Sequence, residues 1–214
     1  MKKTAFLLFS ASMLLLSCSN SGDDKGKTNT GKSTAKKEEV KAPPMDSAQM
    51  MKAWQAYMTP GDMHKMMATW DGTWAGDLTY WEKPGGPPTK STATSVNKMI
   101  LGGRYQETVN TGNMMGMPYE GHGLLAYDNA KKIFENVWED NMGTGIMKMS
   151  GPWDAASKSA TLTGKEMDPM SGTEKDMKEI FTVVDDNTQT LAMFGPGPDG
   201  KEFKMMEIKY TRKK

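Results

Sequence analysis

From Gly72 to the end of the chain, apolar and polar side chains alternate in short runs, and each run is cut off by residues that turn a chain. The first run sets the pattern: Trp74, Leu78 and Tyr80 share one side, and Thr73, Asp77 and Thr79 share the other. A period of two with one apolar face marks a half-buried strand. Similar runs recur near residues 90–101, 103–112, 118–128, 131–141, 144–151, 158–166, 176–185, 189–194 and 202–212. The breaks between them are turn-forming, as in Pro84-Gly85-Gly86-Pro87-Pro88, Asp128-Asn129, Asp185-Asp186-Asn187 and Pro198-Asp199-Gly200. About ten strands with no helix between them exclude a parallel sheet, which needs long crossovers. The pattern predicts a mainly β fold, an antiparallel meander β-barrel, because closure removes the edges through which an open sheet would aggregate.

Two short helices are expected just ahead of the strands, over residues 46–70. Asp46 and Ser47 can cap a helix whose apolar residues Met50, Trp54, Tyr57 and Met58 fall on one face. Thr59-Pro60-Gly61-Asp62 then starts a second one, with the stripe Met63, Met66, Met67 and Trp70. Each stripe predicts one buried helix face. Residues 45–214 thus form a single domain, with the barrel at 72–213; about 170 residues suffice for a proper core.

The beginning of the chain reads differently. Lys2 and Lys3, the apolar stretch Ala5 to Leu16 and a small residue before Cys18 make up a secretory signal over residues 1–17, and twelve apolar-biased residues are too few to span a bilayer. Leu15-Leu16-Ser17-Cys18 resembles the bacterial lipobox, which implies cleavage before Cys18, acylation of its thiol and amino group, and membrane attachment. Cys18 is the only cysteine, so a lipidated chain has no disulfide to draw on. Removing Lys2 and Lys3 from the 27 basic residues leaves 25 against 26 acids, a net charge of −1. That balance gives no support to nucleic-acid binding. Residues 18–44 are predicted to be a disordered tether, since Ser19 to Pro44 holds no aromatic residue and Val40 as its only large aliphatic. Ser19 after the cysteine resembles the pattern of outer-membrane lipoproteins, and Asp23-Asp24 loosely resembles acidic surface-export signals. The expected location is the cell envelope, lipid-anchored, at the outer membrane.

Gly72-Thr73-Trp74-Ala75-Gly76 resembles the Gly-X-Trp signature that opens lipocalins and related calycin barrels. In that fold the Trp closes the barrel base under an Arg of the last strand, which implies structural roles for Trp74 and Arg212. A broader resemblance rests on Met99-Ile-Leu-Gly-Gly-Arg104, Met114-Met-Gly-Met-Pro-Tyr-Glu-Gly121, Tyr127-Asp-Asn129, Trp138 with Asp140-Asn-Met-Gly-Thr-Gly-Ile-Met147, Asp168-Pro-Met170 and Tyr210-Thr-Arg-Lys213. Over about residues 60–214 the chain is similar to the bacterial family catalogued as domain of unknown function 1579. That resemblance implies one lipocalin-like barrel and brings no catalytic residue with it.

Chemistry-bearing motifs are few. Gly26-Lys-Thr-Asn-Thr-Gly-Lys32-Ser33 fits the phosphate-loop formula, yet it sits in polar tether with neither the strand nor the helix that such a loop requires, so no nucleotide partner is expected. Twenty-two methionines offer soft ligands for Cu(I). The candidate clusters are Met63, His64 and Met67, and Met114, Met115 and Met117 near His122; core filling explains them better. No Gly-X-Ser-X-Gly, His-Glu-X-X-His or cysteine nucleophile is present in the mature chain, so no enzyme and no cofactor is predicted. Glu120 and His122 share one strand face, as do Asn136, Trp138 and Asp140, and either set fits a barrel interior or its outer surface. The resulting expectation is an envelope lipoprotein whose barrel binds a small, largely apolar ligand. Its site would draw on Trp138, Tyr105, Met147, Met149 and Tyr210, with polarity from Glu120, His122 or Asp140. A filled barrel acting as a structural or protein-interaction module is the alternative, and Cu(I) binding a weaker one.

Overall fold

The computed structural model describes residues 45–114 and 116–214. The signal sequence, Cys18, the tether, the Gly26 to Ser33 motif and Met115 lie outside the described residues. Helix α1 (Ser47–Met58) opens with a capping box, in which Asp46 Oδ1 accepts from Gln49 N at 2.8 Å and Gln49 Oε1 accepts from Asp46 N at 3.1 Å. Helix α2 (Asp62–Ala68) follows the Pro60-Gly61 turn.

Strands β1 (Gly72–Tyr80), β2 (Thr89–Ile100), β3 (Tyr105–Met114), β4 (Met117–Asp128), β5 (Ile133–Asp140), β6 (Met147–Gly151), β7 (Trp153–Asp154), β8 (Ser159–Asp168), β9 (Thr173–Asp185), β10 (Thr188–Pro196) and β11 (Glu202–Arg212) complete the domain. Each pairs antiparallel with its neighbours in the chain except that β6 and β7 do not pair with each other; β1 pairs with β11, and β6 pairs with β8. Pieces β6 and β7 are one strand interrupted at Pro152. Ser150 lies opposite Thr163 and Trp153 opposite Ala160, so the register against β8 is unbroken. Proline has no N–H to give to the ladder, which explains the interruption. The barrel therefore has ten strands, closed and antiparallel, as the alternation and turn spacing predict.

Closure depends on a close approach between β6 and β8. A Cβ added at Gly151 would stand 1.9 Å from the Thr161 carbonyl oxygen, and one at Gly164 2.1 Å from that of Lys148. Only glycine fits at either position.

The barrel base is filled from below. Met67 and Trp70 enter a core with Phe134, Met149, Leu162 and Met177. Beside it Trp74, Leu78, Ile208 and Tyr210 form a second cluster on β1 and β11. Gln106 Nε2 donates to Met67 O at 2.8 Å and to Asp71 Oδ1 at 2.9 Å, while Met99 N donates to Asp71 Oδ2 at 3.0 Å. These bonds pin the end of α2 across β2 and β3.

The helices depart from expectation in one respect. α2 buries His64 and Met67, but α1 buries no residue, and Met51 and Trp54 are 69% and 60% exposed. Among the described residues it is α2 and Trp70 that occupy the barrel base, and the apolar stripe of α1 covers none of it. What holds α1 is its C-terminal end, where Asn129 Nδ2 on the β4–β5 turn donates to the carbonyls of Ala56, Tyr57 and Thr59.

Candidate functional site

Every long strand sends alternate side chains inward, and above the filled base they leave a cavity of about 180 Å³. Its walls differ in character. β2 and β3 contribute Ser95, Asn97, Thr108 and Asn110. Ser95 Oγ and Thr108 Oγ1 both donate to Asn97 Oδ1, at 3.1 Å and 3.0 Å, and Asn97 Nδ2 reaches Trp70 O at 3.3 Å. Ser95, Asn97 and Thr108 are thus satisfied and form wall, whereas Asn110 Oδ1 has no partner among the described residues. The opposite strands present Phe134, Trp138, Leu162, Phe181, Leu191 and Met193.

Trp138 lies flat on the inner wall because β4 makes room for it. Its ring covers Gly121 and Gly123, where added Cβ atoms would come within 2.4 Å and 3.1 Å of indole carbons. Gly123 is also its cross-strand partner. The Trp138 Nε1 and the Tyr119 hydroxyl each reach Asp140 Oδ2 at 3.3 Å. Burial, with the negative charge of Asp140, pushes the Tyr119 phenol up to about 12, so it stays a neutral donor.

At the base Trp74 is 1% exposed, its Nε1 donates to Trp70 O at 3.0 Å, and the Arg212 guanidinium carbon sits 4.1 Å from its ring centroid. Arg212 NH1 and NH2 donate to Asp71 O and Thr69 O, both at 2.6 Å, and Nε to Asp186 O at 3.0 Å. The guanidinium closes the barrel as a plug with its hydrogen bonds spent on backbone carbonyls.

Among the described residues Glu179 is the one acid on the cavity wall, and no Lys, Arg or His lines it. Its carboxylate accepts no hydrogen bond from a described residue, and burial alone pushes the carboxyl up to about 7. Tyr210 lines the same cavity; burial first, then the Glu179 charge, raise its phenol well above the ordinary range, against a lowering contact with Asn110.

Residues 59–212 match the family described as Protein of unknown function (DUF1579). The chain belongs to that family. The domain is also similar to a solved structure titled "Crystal Structure of Rv2717c from M. tuberculosis", at 13% identity and a TM-score of 0.54, over 73% of this chain and 100% of that one. At that identity the likeness speaks for the barrel fold alone. No curated protein matches the chain.

Within this DUF1579 barrel the residues singled out from sequence separate into three groups. Trp138, Met147 and Tyr210 line the cavity, and Met149 is buried in the adjoining core. Asp140 stands above Trp138 on the same strand face, at the end remote from α2. Tyr105, Glu120 and His122 do not reach the cavity: on β3 the even positions Gln106, Thr108 and Asn110 point inward, and on β4 the odd positions Tyr119, Gly123 and Leu125 do. Glu120 and His122 instead meet outside at 2.9 Å, beside a shallow groove shared with Asp140.

The methionine sets are also separated. Met67 is fully buried in the core and Met63 packs beside it. His64 Nδ1 accepts from Gly61 N at 3.1 Å, and its ring also bonds to the Tyr127 backbone. With both ring nitrogens engaged, His64 has no lone pair free for a metal. Met114 lines the cavity, whereas Met117 is half exposed on the same hairpin.

Sequence reasoning missed Glu179, Asn110 and Tyr119. The polar run Gln106, Thr108, Asn110 reads as a solvent face, which hid the phase of β3. Glu179 did leave a signal: it is the single acid in the otherwise apolar alternate series Met177, Phe181, Val183.

Proposed function

We propose that this protein is a lipid-anchored envelope protein whose barrel binds one small, largely apolar molecule without carrying out a reaction on it. The observation that carries the binding reading is the half-open cavity of about 180 Å³, walled mainly by aromatic and aliphatic side chains with few polar groups. An apolar cavity of about 150 Å³ accommodates a benzene molecule. The space therefore suits one ring with a short substituent and is too small for a long acyl chain. The anchoring half of the reading rests on Lys2, Lys3, the apolar stretch and Cys18.

Small aromatic probes, beginning with toluene and benzyl alcohol, test the cavity. Binding should quench tryptophan fluorescence and show a negative heat-capacity change by calorimetry, because apolar surface is buried beside Trp138. Trp138→Ala should weaken binding more than it lowers the melting temperature. If no probe binds, a filled interaction module becomes the better reading; stoichiometric tight Cu(I) binding without any apolar ligand would favour the methionines. For the anchor, Cys18→Ser should move the protein from the membrane pellet to the soluble fraction while the barrel stays folded. Retention in the pellet after salt washing would end the lipoprotein reading.

A further inference from the structure

We propose that the ligand is a small arylalkyl amine, one ring carrying an aliphatic amine on a short arm, bound with its protonated nitrogen against Glu179 and its ring among the aromatic side chains of the cavity. This rests on the reading of the barrel as a binding protein and names the class of molecule it takes. Three features of the wall select that class. Glu179 is 5% exposed, opens on the cavity, and has neither a cation nor a hydrogen-bond donor beside it among the described residues. A buried carboxylate without a partner is strongly unfavourable, so the empty site answers with a proton, as the raised titration of Glu179 reflects. A ligand ammonium can replace that proton, keep the interior neutral and donate to the carboxylate directly. Asn110 lines the same cavity, and its Oδ1 has no donor either. Trp138, Tyr119 and Phe181 line the space, and aromatic rings favour a cation over an anion at their faces.

Anionic ligands meet the opposite conditions, with one acid and no Lys, Arg or His on the wall. At the end remote from α2 the field has the same sign. There burial, Asp140 and Asp168 all raise the Glu166 carboxyl, and among the described residues Lys175, opposite Glu166 on β9, is the one cation beside these three acids on the inward face. A neutral alcohol could donate one hydrogen bond to Glu179 but could not compensate its charge. Volume limits the body to about one ring with a short arm.

The titratable groups facing Glu179 across the barrel are Tyr210 on β11 and Tyr119 on β4, with Glu166, Asp140, Asp168 and the cation Lys175 toward the far end. Both phenols are held neutral through the physiological range. The proton exchanged on amine binding is therefore the one on Glu179. Benzylamine, benzyl alcohol, benzoate and toluene form a matched probe set for calorimetry on the folded protein. At about pH 8 benzylamine should bind at least about tenfold more tightly than benzyl alcohol, a difference of about 1.4 kcal/mol, and benzoate more weakly than either. At about pH 6, measurements in buffers of different ionisation enthalpy should show close to one proton released per benzylamine bound, with weaker affinity. Glu179→Gln should keep benzyl alcohol binding while losing the amine preference and the proton release.

Equal binding of amine and alcohol to the parent protein, a preference for benzoate, or an amine preference that survives Glu179→Gln would each overturn the proposal while leaving the cavity a ligand site. Failure of all four probes on the parent would remove the binding function and this proposal with it. The proton count on the parent protein decides the matter even if the variant folds poorly.

Discussion

Trp74 is enclosed by its own neighbours on β1 and β11, hydrogen-bonded to the Trp70 carbonyl and roofed by Arg212. Removing a buried Trp side chain costs about 3 to 5 kcal/mol, a large share of a domain's net stability. Trp74→Ala should therefore be unfolded or barely folded by urea titration; a variant melting within a few degrees of the parent would show the indole to be peripheral. Glu179 makes a different statement, about pH. Its carboxyl titrates near the ordinary 4.5 in the unfolded chain and at about 7 in the folded one. Between those values only the folded form holds the proton, so the stability linked to this group is complete below the lower value and is lost as pH rises through the upper one. The shift corresponds to on the order of 3 kcal/mol. Asp128, Asp154 and Asp168 act with the opposite sign, because hydrogen bonds, led by that from Lys131 N to Asp128 and those from the Ser157 and Ser171 hydroxyls to Asp154 and Asp168, lower their carboxyls. Comparing the parent with Glu179→Gln at each pH cancels their effect. The variant should gain relative stability by that order between about pH 4.5 and about pH 8, and parallel pH curves would show that Glu179 is not buried unpaired.

At the scale of elements, the two helices share a sequence pattern and have different fates. Both carry apolar stripes, yet α2 is built into the barrel base, and among the described residues the side-chain hydrogen bonds from the barrel to the end of α1 come from Asn129. Asn129→Ala leaves three carbonyls at the end of α1 without their donor, while no barrel hydrogen bond is touched. Amide exchange should then accelerate over residues 47–58 and stay unchanged in the strands, with a global loss of no more than about 1 kcal/mol. A large global loss would mean that α1 contributes to the core after all. The strands β6 and β7 show the reverse relation, one element written as two. Pro152 removes a donor at a position where β8 would otherwise receive an unbroken ladder, and the register continues past it.

For the whole molecule, closure is decided at the seam between β6 and β8, where Gly151 and Gly164 let two backbones approach more closely than any side chain allows. Gly164→Val should force the seam apart, with a loss of at least about 1 to 3 kcal/mol from overpacking and a new tendency to associate through the freed edges. Light scattering and melting would register both, and an unaffected monomer would show closure to be insensitive to that contact. The sequence alone determines that this chain is an antiparallel barrel, because alternation, turn residues and the absence of intervening helices are local properties that leave few topologies open. It also determines the roles of Trp74 and Arg212, since a family signature and the two ends of the barrel sheet bring them to one corner. What only the tertiary structure decides is phase and vacancy. Whether Tyr105 or Gln106 points inward depends on how β2, β3 and β4 register against one another, and polar alternation on β3 looks the same from either side. Whether α1 is buried depends on which helix occupies the barrel base. The cavity itself, with Glu179 unpaired on its wall, is a sum over ten strands, and no local stretch of sequence records the volume that their side chains fail to fill.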